Sequence, residues 1–404
     1  MPNLKWRLIQ DKNTYGNYSS HYASLDDARF DSNLTLRKGA SKTYYMVIWI
    51  DEVDKNQLDT GKYNATIDFS SSNGIGVTST VGEFNYMKNI SADTFRGDDY
   101  REKIKNVSFV DYIDTSNAVV QWDASELGDN SIVAWLNNNS SDGYYDLYIG
   151  SKKEIYAKDL SKFFLNMTKV DSISFDNLNT IQTINMANMF EKMGYDSTVL
   201  KLDLGNKFDT RNVTNMWAMF TNVGYKSTSF MLNLGSRFDT KNVINMSSMF
   251  GSCGINNITF SLELGSKFDT SNVKTMFAMF QDVGYKSKKF HLNLGEKFDT
   301  SNVTNMMNMF TDTGKESSNF MLDLGDKFNT KNVINIMNMF VTTGYATDNL
   351  VLDLSNLSFD SVVDYTHFIN TKTTTTIYVK SDIERNWILD KNFTGVNSNN
   401  VIVK

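Results

Sequence analysis

Phe298-Asp-Thr-Ser-Asn-Val-Thr-Asn-Met-Met-Asn-Met-Phe310 decides the fold, because nearly the same phrase opens at Phe208, Phe238, Phe268 and Phe328, each 30 residues from the next. Met189, Met219, Met249, Met279, Met309 and Met339 keep that step, and each is followed by Phe. Gly194, Gly224, Gly254, Gly284, Gly314 and Gly344 keep it too, as do the Leu-x-Leu pairs from Leu202/Leu204 to Leu352/Leu354. Self-similarity at a fixed period of this size marks stacked supersecondary units that bury their apolar faces on one another.

Each unit divides on physical grounds. In Phe230-Met231-Leu232-Asn233-Leu234 apolar residues alternate, so Phe230, Leu232 and Leu234 share one face of a strand. Gly235 ends the strand where the chain needs room or a positive φ. Phe238 then enters the core, while Asp239 and Thr240 supply turn hydrogen bonds. The spacing of Val213, Met216, Phe220 and Val223, with Met219 at the margin, predicts a short helix over 212–223 closed by Gly224 at C′. Strand, turn, short helix and return describe an α/β repeat solenoid that is right-handed and leucine-rich-repeat-like. It has a parallel sheet on one side and short helices on the other. Asn212, Asn242, Asn272, Asn302 and Asn332 are expected to form a ladder that satisfies loop backbone groups.

Outward from the array, residues 1–88 read as a β-rich N-terminal domain. Its expected strands are Leu34–Arg37, Tyr44–Ile50 and Tyr63–Phe69, with a turn-rich break from Ser70. Residues 89–176 read as a lead-in and N-terminal capping module with strands at Ala118–Trp122, Ser131–Leu136 and Tyr144–Ile149. The solenoid proper occupies 177–354. Residues 355–404 form the C-terminal cap, with a strand at Ile377–Lys380, a capping box at Ser381-Asp-Ile-Glu384 opening a helix through Trp387, and a last strand at Val401–Val403.

Composition narrows the function. Of 404 residues 41% are hydrophobic and 21% charged, as in soluble repeat proteins, and the formal net charge is −6. With no Lys/Arg-rich run, nucleic acid is not an expected partner. One cysteine, Cys253, forbids an intrachain disulfide. Tyr44–Ile50 is too short to span a bilayer and the N-terminus lacks a signal-peptide core, so any export or anchoring segment is expected upstream.

The phrase from Phe298 to Phe310 resembles the repeat of the BspA-like leucine-rich-repeat surface proteins of bacteria, here as a 30-residue variant lengthened by a Gly-Tyr-Lys-Ser-type insert. Trp122-Asp-Ala-Ser with Tyr144-Tyr-Asp-Leu-Tyr-Ile-Gly150 resembles that family's lead-in, Ile377 to Trp387 its C-terminal cap, and Tyr45-Met-Val-Ile-Trp-Ile-Asp51 an extracellular segment of some members. The resemblance implies an extracellular place on a bacterial cell surface and a role in adhesion, binding a host or neighbouring-cell protein or glycan.

Chemistry-bearing patterns are sparse. His21, His291 and His367 lie far apart, and His291 falls on an outward strand position. Asp54-x-Asn56-x-x-Asp59 has the look of a calcium loop without its Gly and terminal Glu. Neither a cofactor nor a metal is expected. The basic column Lys207, Arg237, Lys267, Lys297 and Lys327 runs two residues from the acidic column Asp209, Asp239, Asp269 and Asp299; mutual neutralisation with turn bonding is the plain expectation, a stripe for anionic glycan the functional one. Ligand-binding candidates are the polar strand-face residues Asp203, Asn233, Glu263, Asn293 and Asp323, and secondarily Trp217, Phe277 and Met307 at the helix margin. A non-enzymatic surface binding protein is the expected function. A stalk displaying another domain is the alternative, and a glycan-active enzyme using carboxylates such as Asp51, Glu52 and Asp54 is the remote one.

Overall fold

The structure is a computed structural model, and it describes residues 4–9, 45–50, 88–89, 100–126, 128–140 and 143–404. The expected strands Leu34–Arg37 and Tyr63–Phe69, the break from Ser70, the Asp54–Asp59 loop, Asp51, Glu52 and His21 lie outside those residues. Two compact units divide the chain, Met1–Glu83 and Phe84–Lys404. In the first, β1 (Leu4–Ile9) pairs antiparallel with β2 (Tyr45–Ile50), Leu4 opposite Ile50.

The second unit begins with β3 (Lys88–Asn89) and β4 (Ile104–Val110). An antiparallel meander follows, of β5 (Val120–Asp123), β6 (Val133–Asn138) and β7 (Tyr145–Gly150), and β7 lies parallel to β4. Next come β8 (Ile155–Tyr156), β9 (Ser172–Ser174) and β10 (Leu178–Asn179). Here β9 continues the sheet beside β4, while β8 joins β3 and β10 in a second parallel sheet. The array adds β11 (Val199–Asp203), β12 (Ser229–Asn233), β13 (Lys289–Asn293), β14 (Asn319–Asp323), β15 (Phe340–Val341) and β16 (Val351–Asp353). After β17 (Ile369–Asn370) and β18 (Thr376–Val379) come α1 (Asp382–Asp390) and β19 (Val401–Val403). From β8 onward every strand pair is parallel, and partners in the array stand one repeat apart, as Leu200 opposite Phe230. The unit is a β-rich repeat fold of parallel sheets, in which α1 is the α-helix among the described residues.

Alternation sets each strand's faces. In β11 Leu200 and Leu202 are buried while Val199 and Lys201 are exposed. Inside, like residues of successive coils stack. Phe190, Phe220, Phe250, Phe280, Phe310 and Phe340 lie 5.4–5.7 Å apart, within 9° of parallel. Phe238, Phe268, Phe298 and Phe328 stack at 6.2–6.4 Å, and Phe230, Phe260, Phe290 and Phe320 at 5.3–6.1 Å. One apolar cluster runs from Ile104 to Val401. Offset ring stacking adds about 0.5–1.5 kcal/mol per pair beyond burial.

The expected helix over 212–223 is absent. Val213, Met216, Met219, Phe220 and Val223 are all fully buried, but the backbone around them makes successive turns. Met219 N–H donates to Met216 O, Thr221 to Ala218 O and Val223 to Phe220 O, three i to i+3 closures in a row. The intervening N–H groups of Met216, Ala218, Phe220 and Asn222 donate instead to Asn245, Ser247, Met249 and Gly251 of the next coil. Ala218 and Asn222 take φ of +52° and +59°, which a helix forbids and which suits the third position of a type II turn. Backbone groups that a helix would satisfy internally are spent on stacking. Gly224, at φ +58°, therefore closes a turn rather than a helix.

The sheet is also not continuous. Residues 259–263 form no strand, so β12 and β13 belong to separate sheets. Asn257 stands there in place of the buried Ser227 and Ser287. Its Nδ2 donates to Phe230 O at 3.2 Å, as Ser287 Oγ does to Phe260 O at 2.9 Å, and its Oδ1 accepts Thr259 N–H at 2.8 Å.

Polar ladders knit the turns. Asn212, Asn242, Asn272, Asn302 and Asn332 are exposed, and each donates Nδ2 to a carbonyl of the preceding coil at 2.7–2.8 Å. Buried Thr180, Thr210 and Thr240 each donate to the carbonyl and accept from the N–H of one residue, Asp209, Asp239 and Asp269 respectively. At Gly235, φ is +76° and a Cβ would lie 2.0 Å from Gly205 O, so the stack itself requires glycine. The end closes with α1: Ser381 caps it by accepting Ile383 N–H, and its Oγ donates to the Glu384 carboxylate, where the expected capping box would have Glu384 accept the Ser381 N–H.

Candidate functional site

The strand face carries two outward columns of candidate residues. Asp203, Asn233, Glu263, Asn293 and Asp323 end the strands, or the equivalent non-strand segment at Glu263, with Asp203 half-buried and the others exposed. Most of these side chains already serve the fold. Asp203, Asn233, Asn293 and Asp323 accept the N–H of Gly205, Gly235, Gly295 and Gly325 at 2.8–3.1 Å, closing the turn after the strand. Asn233 Nδ2 also donates to Asp203 Oδ1 at 3.0 Å. Asp353, in the same column, takes Lys404 at 2.6 Å; burial raises its carboxyl, but Lys404 and Ser355 outweigh it and hold the group below its ordinary range.

Two residues earlier lies a column with no such task. Lys201, Met231, Ser261, His291, Met321 and Val351 are all exposed, and they differ in size, charge and polarity from coil to coil. Met231 and Met321 are 43% and 54% exposed, which is high for a residue the interior uses so heavily. Sequence reasoning placed His291 outward, and the same alternation identifies the whole column.

The corner residues divide. Trp217 is 46% exposed between the small buried Ala187 and Ser247, whereas Phe277 and Met307 are half-buried. The N–H groups of Trp217 and Met307 are held by Asn215 and Asn305 side chains at 3.0–3.1 Å, in the bridge column that links the coils at this corner.

At the turn edge the aspartates of the acidic column first serve their own loops. Asp239, Asp269 and Asp299 point their Oδ1 at the N–H of Lys241, Ser271 and Ser301, at 2.8–3.1 Å. Asp209 is buried and pairs with Arg211 at 2.6 Å; burial raises its carboxyl, but the Arg211 bonds prevail and leave it below the usual range. Lys207 reaches Glu154 at 3.9 Å and donates to Asp176 O. Among the described residues no ion pair joins Arg237, Lys267, Lys297 or Lys327 to the acidic column. Turn bonding is found; of the expected mutual neutralisation there is the pull of Arg237 that helps lower the Asp209 carboxyl, without a direct ion pair.

A depression of about 530 Å³ opens beside the C-terminal cap, lined by Tyr365, His367, Lys391 and Phe393 among others. Lys391 Nζ lies 4.7 Å from the Tyr365 ring centre and 5.6 Å from that of Trp387, so its charge is already engaged. Burial pushes the Cys253 thiol up, away from reactive thiolate. Among the described residues no group of three or more His, Cys, Asp or Glu side chains is placed to hold a metal ion, and no helix is long and apolar enough to cross a membrane.

Residues 158–281 and 254–381 each match the model of the family described as "Mycoplasma protein of unknown function, DUF285". Together the two matches run over 158–381, more than half of the 404 residues. The chain belongs to the DUF285 family. No curated protein and no solved structure matches it. The DUF285 matches take in the whole of β11 to β17, so the stacked Phe, Met and Asn columns and the strand-face columns lie within the family region.

Proposed function

We propose that this chain is a non-enzymatic binding protein of a bacterial cell surface, with leucine-rich-repeat-like coils of the BspA-like type. Its strand face takes a protein or glycan of a host or neighbouring cell. One observation carries the reading. Interior columns repeat the same residue in nearly every coil, whereas the exposed column from Lys201 to Val351 changes at every step, with Lys201 beside Met231 and His291 beside Met321 in strand register. A stack that holds its core constant and varies one solvent face presents a surface for recognition. The test is binding to cells and to immobilised matrix proteins and glycans by Met231→Glu/His291→Glu/Met321→Glu. Binding is expected to fall about tenfold or more with an unchanged melting curve. Full binding by the folded triple variant would remove the strand face from the account.

The continuous core from Ile104 to Val401 favours a second reading, a stiff stalk that displays another domain. Deleting one 30-residue coil would then leave function intact, whereas a recognition surface would lose its register.

A further inference from the structure

We propose that the turn edge of the first coils is a second binding site, for a linear acidic polysaccharide, read by Arg237, Lys241 and Lys267. The inference rests on the surface-binding reading for its biology, but it concerns a different face.

Three observations carry it. First, the acidic column that would cancel these cations is turned inward on its own loops: Asp239 and Asp269 accept the N–H of Lys241 and Ser271. Arg237, Lys241 and Lys267 are exposed and have no ion-pair partner among the described residues. Second, the cations are set in register, one coil apart, because the loops that carry them are locked by the Thr210, Thr240 and Thr270 hydroxyls, which donate to the next coil at 2.7–2.8 Å. Stacked loops follow the strand spacing of about 4.8 Å, so the positive groups run as a row along the stack. A row of that kind fits an extended polymer with regularly repeated negative groups better than one compact anion. Third, the row has an end. The residue before each cation is Asn206, Ser236 and Ser266 in the early coils, all neutral and exposed, but Glu296 and Asp326 in the later ones. Beside Lys297 and Lys327 the edge is therefore of mixed sign, and the basic footprint is confined to the coils of Arg237 and Lys267.

The surroundings favour a glycan over single-stranded nucleic acid. Flanking columns supply Asn206, Ser236, Ser266, Asn212, Asn242 and Asn272, whose amides and hydroxyls suit sugar hydroxyl groups. They supply no aromatic ring on which bases could stack.

The experiment measures binding of a heparin oligosaccharide to the full chain at two salt concentrations, with a thymidine oligonucleotide of similar charge as the competing probe. Wild type is expected to bind heparin more weakly as salt rises, since paired cations release counter-ions. Arg237→Ser/Lys241→Ser/Lys267→Ser is expected to weaken binding about tenfold or more. Lys297→Ser/Lys327→Ser should do so less. A charge-matched control away from this edge, Lys286→Ser/Lys288→Ser/Lys289→Ser, should leave it unchanged. No heparin binding by wild type, equal loss in the control, or equally tight binding of the oligonucleotide would each overturn the proposal. Because heparin binding is read on purified protein, its failure is separable from that of the strand-face reading, which is read on cells and matrix.

Discussion

The strand side and the turning corner of each coil are both stacked by main-chain hydrogen bonds to the coils above and below, yet they look opposite in sequence. On the strand side the chain is extended and alternates buried Leu with exposed variable residues, as β11 does. Across the corner, from Met216 to Val223, apolar residues fall three and four apart as on a helix, but the N–H of every second residue leaves for the next coil. A period near 3.6 reports which side chains are buried; it does not report where the backbone hydrogen bonds go. In a solenoid the neighbouring coil competes with the helix for those bonds, and here it wins.

The comparison can be broken first at the shared interior. Phe268→Ala, in the middle of a stack with Phe238 and Phe298, should cost about 3–5 kcal/mol in urea unfolding. A shift no larger than that of the exposed Lys288→Ala would contradict the inward placement.

Next come the buried hydroxyls that tie one coil to another between the two sides. Thr240 Oγ1 donates to Asp269 O and accepts Asp269 N–H, both at 2.8 Å. Thr240→Val keeps the shape and leaves both groups without that partner, so a loss of about 1–3 kcal/mol is expected. An unchanged denaturation midpoint would show that the hydroxyl ladder does not bear on stability.

A smaller effect separates the corner by charge. Asp282 has φ +60° and carries a carboxyl raised above its ordinary 3.8 by burial, and further by Asp312, against lowering bonds from Ser252 and Gln281. A raised acid favours the folded state while protonated, and that stability is lost as pH rises through the raised value. Asp282→Asn should thus gain on wild type at neutral pH, with the gap narrowing as pH falls towards 3.8. A gap that widens in acid would contradict the sign.

How far the sequence could be read follows from the same contrast. Phe208 to Phe328, the Met-Phe pairs, the Asn212 ladder, Gly235 and the Ser381 cap were legible because each does the same work in every coil or obeys a local rule. The corner was not, since its left-handed residues are not glycines: Asn222 and Asp282 tolerate that conformation, but Ala218 and Ser248 carry no local mark of it. The break at 259–263 was not legible either, because Phe260, Leu262 and Leu264 keep the buried alternation of the neighbouring strands. Among the site candidates, the column from Asp203 to Asp323 was legible as outward and polar, but its turn-closing bonds were not. The exposed cations at Arg237 and Lys267 were hidden for a related reason: spacing in sequence set them two residues from an aspartate whose carboxylate turns elsewhere.

The most direct test of the central claim, that the corner is a stack of turns and not a helix, is the melting temperature of Ala218→Gly/Ala278→Gly. Both alanines sit at φ +52°, where a Cβ costs about 1–2 kcal/mol and glycine costs little. The account predicts that the double variant melts higher than wild type. In a helix interior each change would instead destabilise by about 1 kcal/mol, and a lowered melting temperature would contradict the account.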